Sequence, residues 1–347
     1  MNQSKIKSLL SELKDQPDAK PKGLRFNSKT LIIDGMNTFI RAFAADNKFN
    51  HFGHHVGGIA SFLKSIGYVI KNEAPTRVMI VFDGEGGHIS RRMLYPDYKR
   101  NRDNLATLVN KKVFEDKKEE DRAKLNELER LVEYLEFLPI TLLSLDKLEA
   151  DDVMAYLCHH LYREHPDNRI CIMSADRDFL QLVNDRVYVY SPIKRKYYYK
   201  QDIVDEFKCL PENYLVYKCF LGDTSDNVKG VHGVGERKID TLFDGALSEG
   251  VVTFDDLYKI CEEPPTNSVL YDRILNSKHI LDINHQIMDL SDPNLSAQQE
   301  AYLIQELLTR PRDLRKYDFL QLWYLDKMND AIPSIDQWIN LFSVLNQ

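Results

Sequence analysis

Three short apolar runs, each ending in an acid, constrain what this chain can fold into more than any other feature. Thr30 to Asp34 reads TLIID, Arg77 to Asp83 reads RVMIVFD, and Arg169 to Asp178 reads RICIMSADRD. Near-continuous Ile, Leu and Val over so short a run is the pattern of a strand buried on both faces. Between the first two, residues 57–71 (GGIASFLKSIGYVIK) put Ile59, Phe62, Leu63, Ile66 and Ile70 at helical spacing. Strand, helix, strand is a parallel crossover unit, so the expected fold is α/β, with a central, mainly parallel sheet flanked by helices. Sites in such sheets lie beyond the carboxyl ends of the strands, where Asp34 and Asp83 are expected to meet. A single Asp after a strand is ordinarily a turn or N-cap residue; two at matching strand ends weaken that reading.

The densest acidic stretch is Leu148 to Met154, LEADDVM, at the start of a helix continued by Val153, Met154, Tyr156, Leu157 and Leu161. One acid at a helix N-terminus is ordinary. Three so close, Glu149, Asp151 and Asp152, repel and raise one another's pKa. Asp176 and Asp178 follow a strand, and Asp223 and Asp226 stand in GDTSDN after a helix that Pro211 opens. Nine carboxylates (Asp34, Asp83, Glu149, Asp151, Asp152, Asp176, Asp178, Asp223 and Asp226) could not all stay ionised in one cleft without cations. Oxygen-only ligands select Mg²⁺ or Mn²⁺ over zinc. Two such ions about 4 Å apart activate water and stabilise the leaving oxygen of a phosphodiester.

Basic residues point to the same substrate. Residues 91–102, RRMLYPDYKRNR, set Arg91, Arg92, Lys99, Arg100 and Arg102 against one acid, Asp97, with Tyr95 and Tyr98 interleaved. Cations hold phosphates and a Tyr face stacks on a base. Gly230, Gly233 and Gly235 in GVHGVG precede Arg237 and Lys238. That spacing permits a tight hairpin whose N–H groups approach a phosphate. The aromatic stretch Tyr197 to Tyr199 is accounted for by cross-strand packing. The net charge of −7 argues against a nucleic-acid partner only until its distribution is seen. From residue 245 onward there are 16 Asp/Glu and 8 Lys/Arg, a balance of −8, which leaves +1 on the first 244 residues. If the nine acids face metal, the remaining surface there is distinctly basic.

In chain order, IIDGMN, VFDG, YPDYKRNR, LEADD, SADRDFLQL, GDTSDN and GVHGVGERK resemble the motifs of the 5′ nuclease superfamily, which includes flap endonucleases and the 5′ nuclease of DNA polymerase I. The wording DKLEADD looks most like phage replication nucleases of the T-even ribonuclease H kind. The resemblance covers about residues 28–245. It implies a PIN-like 5′ nuclease fold. Asp34, Asp83, Glu149 and Asp151 would hold one Mg²⁺, and Asp152, Asp176, Asp178, Asp223 and Asp226 a second, with Mn²⁺ able to substitute. Tyr98, Lys99 and Arg102 would orient the scissile phosphate and an unpaired terminal nucleotide. Arg91, Arg92, Arg100, Gly230, Gly233, Gly235, Arg237 and Lys238 would contact DNA, with K⁺ on the hairpin carbonyls. Ile239 and Asp240 stand where Thr-Ala is commoner, which departs from the family pattern at the duplex-binding hairpin.

The expected organisation is a basic arm at 1–25 and a nuclease core at 26–205, with a helical arch at about 103–138. A helix-hairpin-helix-type region at 206–250 and an acidic helical C-terminal lobe at 251–347 follow. The function implied is a Mg²⁺-dependent 5′→3′ exonuclease and flap endonuclease acting on branched or flapped DNA and RNA–DNA hybrid during phage replication. The competing class is a catalytically silent, structure-specific DNA-binding protein, whose signature would be missing ligands. A monomer is expected, with a replication-protein partner on the C-terminal lobe. No apolar run reaches the roughly 18 residues of a membrane span, and no secretory h-region stands at the N-terminus. The five scattered cysteines read as reduced thiols, so a cytoplasmic location is expected.

Overall fold

The computed structural model describes residues 27–103, 107–266 and 268–346, and the side chains of 102, 103 and 346 are outside that description. The expected arm at 1–25 also lies outside the described residues. Strands β1 (Lys29–Asp34), β2 (Arg77–Phe82), β3 (Thr141–Ser144), β4 (Arg169–Met173), β5 (Val187–Ser191) and β6 (Lys196–Tyr198) form one sheet in the order β3-β2-β1-β4-β5-β6. The first five run parallel, and β6 returns antiparallel on β5. The chain moves outward from β1 to β3, then crosses back to place β4 on the other side of β1. This reversal opens a crevice beyond the carboxyl ends of β1 and β4. Asp34 ends β1 and Ser174 follows β4, so the acidic motifs reach this crevice by topology alone.

Alternation along the strands divides the core in two. Ile32, Met79, Val81, Ile170 and Ile172 face one way, and Leu31, Ile33, Val78, Ile80 and Met173 the other, all buried. The first face is covered by the helix Ala150–Glu164, through Val153, Met154, Leu157 and Leu161. The second is covered by the helices Gly35–Ala45, Gly57–Glu73 and Lys117–Glu136. Helix Gly57–Glu73 buries Ile59, Phe62, Leu63, Ile66 and Ile70, as its spacing requires. Each such side chain contributes roughly 1.5–3 kcal/mol relative to exposure.

The acidic C-terminal region does not stand apart as one lobe. Helices Phe254–Glu262, Val269–Leu275 and Lys278–Met288 bury Leu257, Tyr271, Ile274 and Leu281 in the first core. Phe319, Trp323, Trp338 and Phe342 close the second, beside Tyr134. Gly67 makes room for this closure, because a Cβ there would stand 2.3 Å from Trp338 Nε1.

The arch region also departs from expectation, and residues 104–106 lie outside the described residues. The charged run 115–122 and the amphipathic stretch after it form one helix, Lys117–Glu136. Asp116 caps it, accepting from Glu119 N at 2.9 Å. Its inward face is Glu120, Glu127, Leu131, Tyr134 and Leu135, while Leu125 is 55% exposed. Glu120 is tolerated because it accepts from Asn110 N at 2.6 Å and from Lys117 Nζ at 2.7 Å. Glu127 meets the His55 ring and accepts from Ile59 N at 3.1 Å, capping helix Gly57–Glu73. Among the described residues no helix is long and apolar enough to cross a membrane.

Candidate metal centre and nucleic-acid gateway

Asp34, Asp83, Asp176 and Asp178 are each fixed by a backbone or side-chain partner. Asp34 N-caps the helix Gly35–Ala45, accepting from Asn37 N at 3.0 Å, and its other oxygen accepts from Ser174 Oγ at 2.9 Å. Asp83 Oδ1 accepts from Ala150 N at 2.9 Å, tying the end of β2 to the helix that carries the acidic centre. Gly84 allows that approach, since a Cβ there would stand 1.7 Å from the Leu145 carbonyl oxygen. Asp176 and Asp178 are held in a turn: Asp176 N donates to Ser174 Oγ at 3.0 Å and Asp178 N to Asp176 Oδ1 at 2.9 Å.

The acids fall into two electrostatic classes. Asp34, Asp83, Asp151 and Asp176 have no ion pair to a basic side chain among the described residues. Burial, then repulsion from Asp176 and Asp83, raises Asp34 to about 7 against the pull of its two hydrogen bonds. Burial, then repulsion from Asp176 and Asp34, raises Asp151 well above the carboxylate range. The others are matched by cations of the chain itself. Lys218 Nζ bridges Asp178 Oδ1 and Asp223 Oδ2, both at 2.7 Å. Burial alone would lift Asp223, but Lys218 outweighs it and holds the carboxyl at about 2. Asp178 stays at about 7, because burial and Asp176 outweigh the same lysine. Burial would likewise lift Glu149, but Lys99 and Arg91 hold it below its ordinary value.

The basic stretch turns its key side chains inward. Lys99 Nζ lies 2.7 Å from Glu149 Oε1, and the Tyr98 hydroxyl donates to Glu149 Oε2 at 2.8 Å and Asp226 Oδ2 at 3.2 Å. Lys99 is in the left-handed region, φ 54°, and its N–H donates to the Asp226 carbonyl at 2.8 Å. Asn227 Nδ2 returns to the Asp97 carbonyl at 2.8 Å. YPDYKRNR and GDTSDN are thus laced together at the mouth of the crevice.

Several sequence expectations are corrected here. Arg91 does not face DNA: it is buried, binds Asp152 through two bonds of 2.6 and 2.7 Å, and donates to the Ile287 carbonyl at 2.8 Å. Asp152, expected to face a metal, is therefore taken up by a guanidinium. Arg92 donates to the Tyr98 carbonyl at 2.9 Å and so positions the Tyr98–Lys99 turn. Tyr98 is 3% exposed, which leaves no ring face for a base. Gly230 serves internal packing, its missing Cβ being 2.3 Å from the Leu221 carbonyl. Gly233 adopts φ +88°, and Gly235 has nothing within 4 Å of a Cβ position, so only that end of the hairpin lies open. Arg237 and Lys238 are exposed beside it, and Arg100 is exposed and pairs with Asp97 at 3.3 Å. Arg102 lies in the short helix Arg100–Asp103, its side chain outside the described residues.

Two participants escaped sequence reading. Ser174 opens SADRD, and Lys218 is the only charged residue in the otherwise apolar helix Tyr214–Leu221. A lone lysine one turn ahead of a paired acid motif was the available signal.

Residues 29–208 match the 5′-3′ exonuclease N-terminal resolvase-like domain family. The chain belongs to the 5′-3′ exonuclease family. The 5′-3′ exonuclease of Aquifex aeolicus is 32% identical over 211 residues, spanning 60% of this chain and 67% of that protein. That of Bacillus subtilis is 31% identical over 220 residues, spanning 61% and 68%. DNA polymerase I of Mycobacterium tuberculosis is 30% identical over 214 residues, 60% of this chain but 22% of the polymerase. Among solved structures, bacteriophage T5 5′-exonuclease with bound zinc superposes with a TM-score of 0.60 at 20% identity, covering 86% of this chain and 99% of that one. T5 flap endonuclease with DNA and metal ions gives 0.58 at 19%, covering 92% and 100%. These two likenesses carry the fold. As a member of the 5′-3′ exonuclease family, the chain is a nuclease.

Whether its residues suit a divalent ion is answered by charge and donor type. Among the described residues no three acidic, imidazole or thiolate groups already surround one point at ligand distance. The donors converging on the crevice are nonetheless all carboxylate oxygens, the set that suits a hard cation. Asp34, Asp151 and Asp176 form no ion pair with a basic side chain among the described residues, and burial with mutual repulsion raises Asp34 and Asp151. The fit is therefore best at the end of β1, and weaker at Asp178 and Asp223, where Lys218 already sits.

Proposed function

We propose that this nuclease is a Mg²⁺-dependent, structure-specific 5′→3′ exonuclease and flap endonuclease that removes RNA primers and 5′ flaps during DNA replication. What supports this most is the juxtaposition of the buried Asp34 and the half-buried Asp151 and Asp176, none of them in an ion pair among the described residues, with Lys99, whose charge reaches Asp151. A phosphodiester drawn to that ammonium would lie against the acids. Asp34, Asp83, Glu149, Asp151 and Asp176 would hold the first ion, and Asp178, Asp223 and Asp226 would serve the second. Bound there, divalent ions supply a water nucleophile at neutral pH and stabilise the leaving oxygen.

The chain's own groups do the remaining work. Lys99, protonated because Glu149 and Asp226 outweigh the effect of burial, presents a permanent positive charge at the crevice mouth. Tyr98 keeps its proton and holds Glu149 and Asp226 in register across the cleft. Lys218 stays charged between Asp178 and Asp223 and fixes both until a second ion takes its place. Gly235, Arg237 and Lys238 would take the backbone of the downstream duplex.

The test is a 5′-labelled flap whose downstream strand begins with ribonucleotides, incubated with Mg²⁺ or with EDTA and mapped for products. The proposal expects cleavage near the junction with Mg²⁺ only. Asp176→Asn should abolish cleavage while flap binding persists. An undiminished rate in that variant removes Asp176 from the reaction.

A further inference from the structure

A second basic and aromatic surface lies at the β5–β6 edge of the sheet. Tyr190 pairs with Tyr197 across the strands, ring centroids 4.8 Å apart, and Tyr188 stacks on Tyr199 at 5.1 Å. Much of this ladder is packing, since Tyr188 and Tyr190 are buried. Its upper end is different. Tyr68, from helix Gly57–Glu73, continues the ladder 6.1 Å from Tyr190 yet is 52% exposed. Lys64, Ser65, Tyr68, Tyr190, Pro192 and Arg195 line a cleft of about 380 Å³ there.

The cations of this cleft are not used up. Lys194 and Lys196 both bind Glu206, at 2.5 and 3.2 Å. Arg195 between them is exposed and makes no ion pair among the described residues. Its backbone is in the left-handed region, φ 50°, where glycine or asparagine would sit without strain. Lys64 shares Asp46 with Lys48, at 3.9 and 3.5 Å, so one carboxylate faces two ammonium groups.

The cleft also adjoins the metal centre. Ser174 donates its N–H to the Tyr190 carbonyl at 3.2 Å and its hydroxyl to Asp34 at 2.9 Å. β5 stands two strands from β1, a lateral distance of about 10 Å. Basic grooves with exposed aromatic faces hold single strands by phosphate contacts and base stacking. We propose that this cleft holds a single-stranded segment of the substrate, with a base on Tyr68 and adjoining phosphates on Lys64 and Arg195. The identity of that strand as substrate rests on the nuclease reading above; the binding itself does not.

The experiment follows a short fluorescein-labelled oligothymidylate by anisotropy, with the full chain in EDTA, between about 50 and 200 mM salt. Tyr68→Ala should weaken binding about fivefold or more, and Tyr68→Phe should retain it. The double variant Lys64→Gln/Arg195→Gln should lower the salt slope by about 1.4, two phosphates on a single strand. Thermal melting should stay close to wild type, because Tyr68 and Arg195 are exposed and the Asp46 carboxylate that Lys64 approaches keeps Lys48 and Ser61. Affinity within about twofold of wild type in Tyr68→Ala and in the double variant would overturn the proposal. So would polyglutamate competing as well as unlabelled oligothymidylate, which would mark an acidic-protein surface. Flap cleavage by the wild type is scored separately. If it fails while these binding shifts appear, the nuclease reading falls alone; if it succeeds without them, this cleft falls alone.

Discussion

Replacing Arg91 separates two roles that a sequence alone confuses. Its side chain is 10% exposed and donates to Asp152 at 2.6 and 2.7 Å, to Glu149 at 3.1 Å and to the Ile287 carbonyl at 2.8 Å. Arg91→Ala leaves Asp152, itself 11% exposed, as a buried charge with no guanidinium. Removing one partner of a buried pair costs about 3–5 kcal/mol, less than the sum of four charge-assisted bonds because the bonds act as a unit. Part of that loss should return in Arg91→Ala/Asp152→Ala, where no orphaned carboxylate remains. Denaturant midpoints of the wild type, both single variants and the double variant measure the coupling, expected at about 1–3 kcal/mol. Proteolysis should also speed up near helix Lys278–Met288, which Arg91 anchors. A surface arginine on phosphate would behave otherwise, with stability within about 0.5 kcal/mol of wild type and the salt slope of duplex binding reduced by about 1. That second pattern would refute the buried role.

Three further expectations follow from the same geometry. Asp34 and Asp178 have folded pKa values of about 7 against an ordinary 3.8; groups raised on folding stabilise fully below the ordinary value and lose that contribution as pH rises through about 7. Metal-free protein should therefore lose melting temperature between about pH 4 and 7, and Mg²⁺ or Mn²⁺ should restore more of it at pH 8 than at pH 5; equal restoration at both would contradict the charge argument. Gly84→Ala should destabilise by about 3 kcal/mol in a denaturant titration, since its methyl would overlap the Leu145 carbonyl; a midpoint equal to wild type would show that the turn gives way. Arg237→Ala/Lys238→Ala should weaken duplex binding similarly across sequences and lower the salt slope by about 2, read by anisotropy, with an unchanged slope placing the duplex elsewhere.

Fold and crevice were legible because they depend on patterns that repeat. Apolar runs ending in Asp34 and Asp83 announced parallel strands, and the crossover rule put their ends together. The stripe Ile59, Phe62, Leu63, Ile66, Ile70 matched its helix because nothing polar interrupts it. Pairing was not legible. Asp151 and Asp152 are neighbours in sequence, but a helix turns them about 100° apart, so one enters the crevice and the other meets Arg91. Glu120 and Glu127 are buried although no local signal tells that Asn110 and His55 will meet them. The destination of Phe319, Trp323 and Trp338 was hidden for a related reason: an apolar stripe states that it must be covered, and not by what.

The most direct test is anomalous scattering from a crystal soaked in Mn²⁺. The account predicts an ion ligated by Asp34, Asp151 and Asp176 at the end of β1, with a second one near Asp223 and Asp226 only where Lys218 has swung away. Crystals with no anomalous peak among these carboxylates, and with Asp34 still bound only to Asn37 N and Ser174 Oγ, would contradict it.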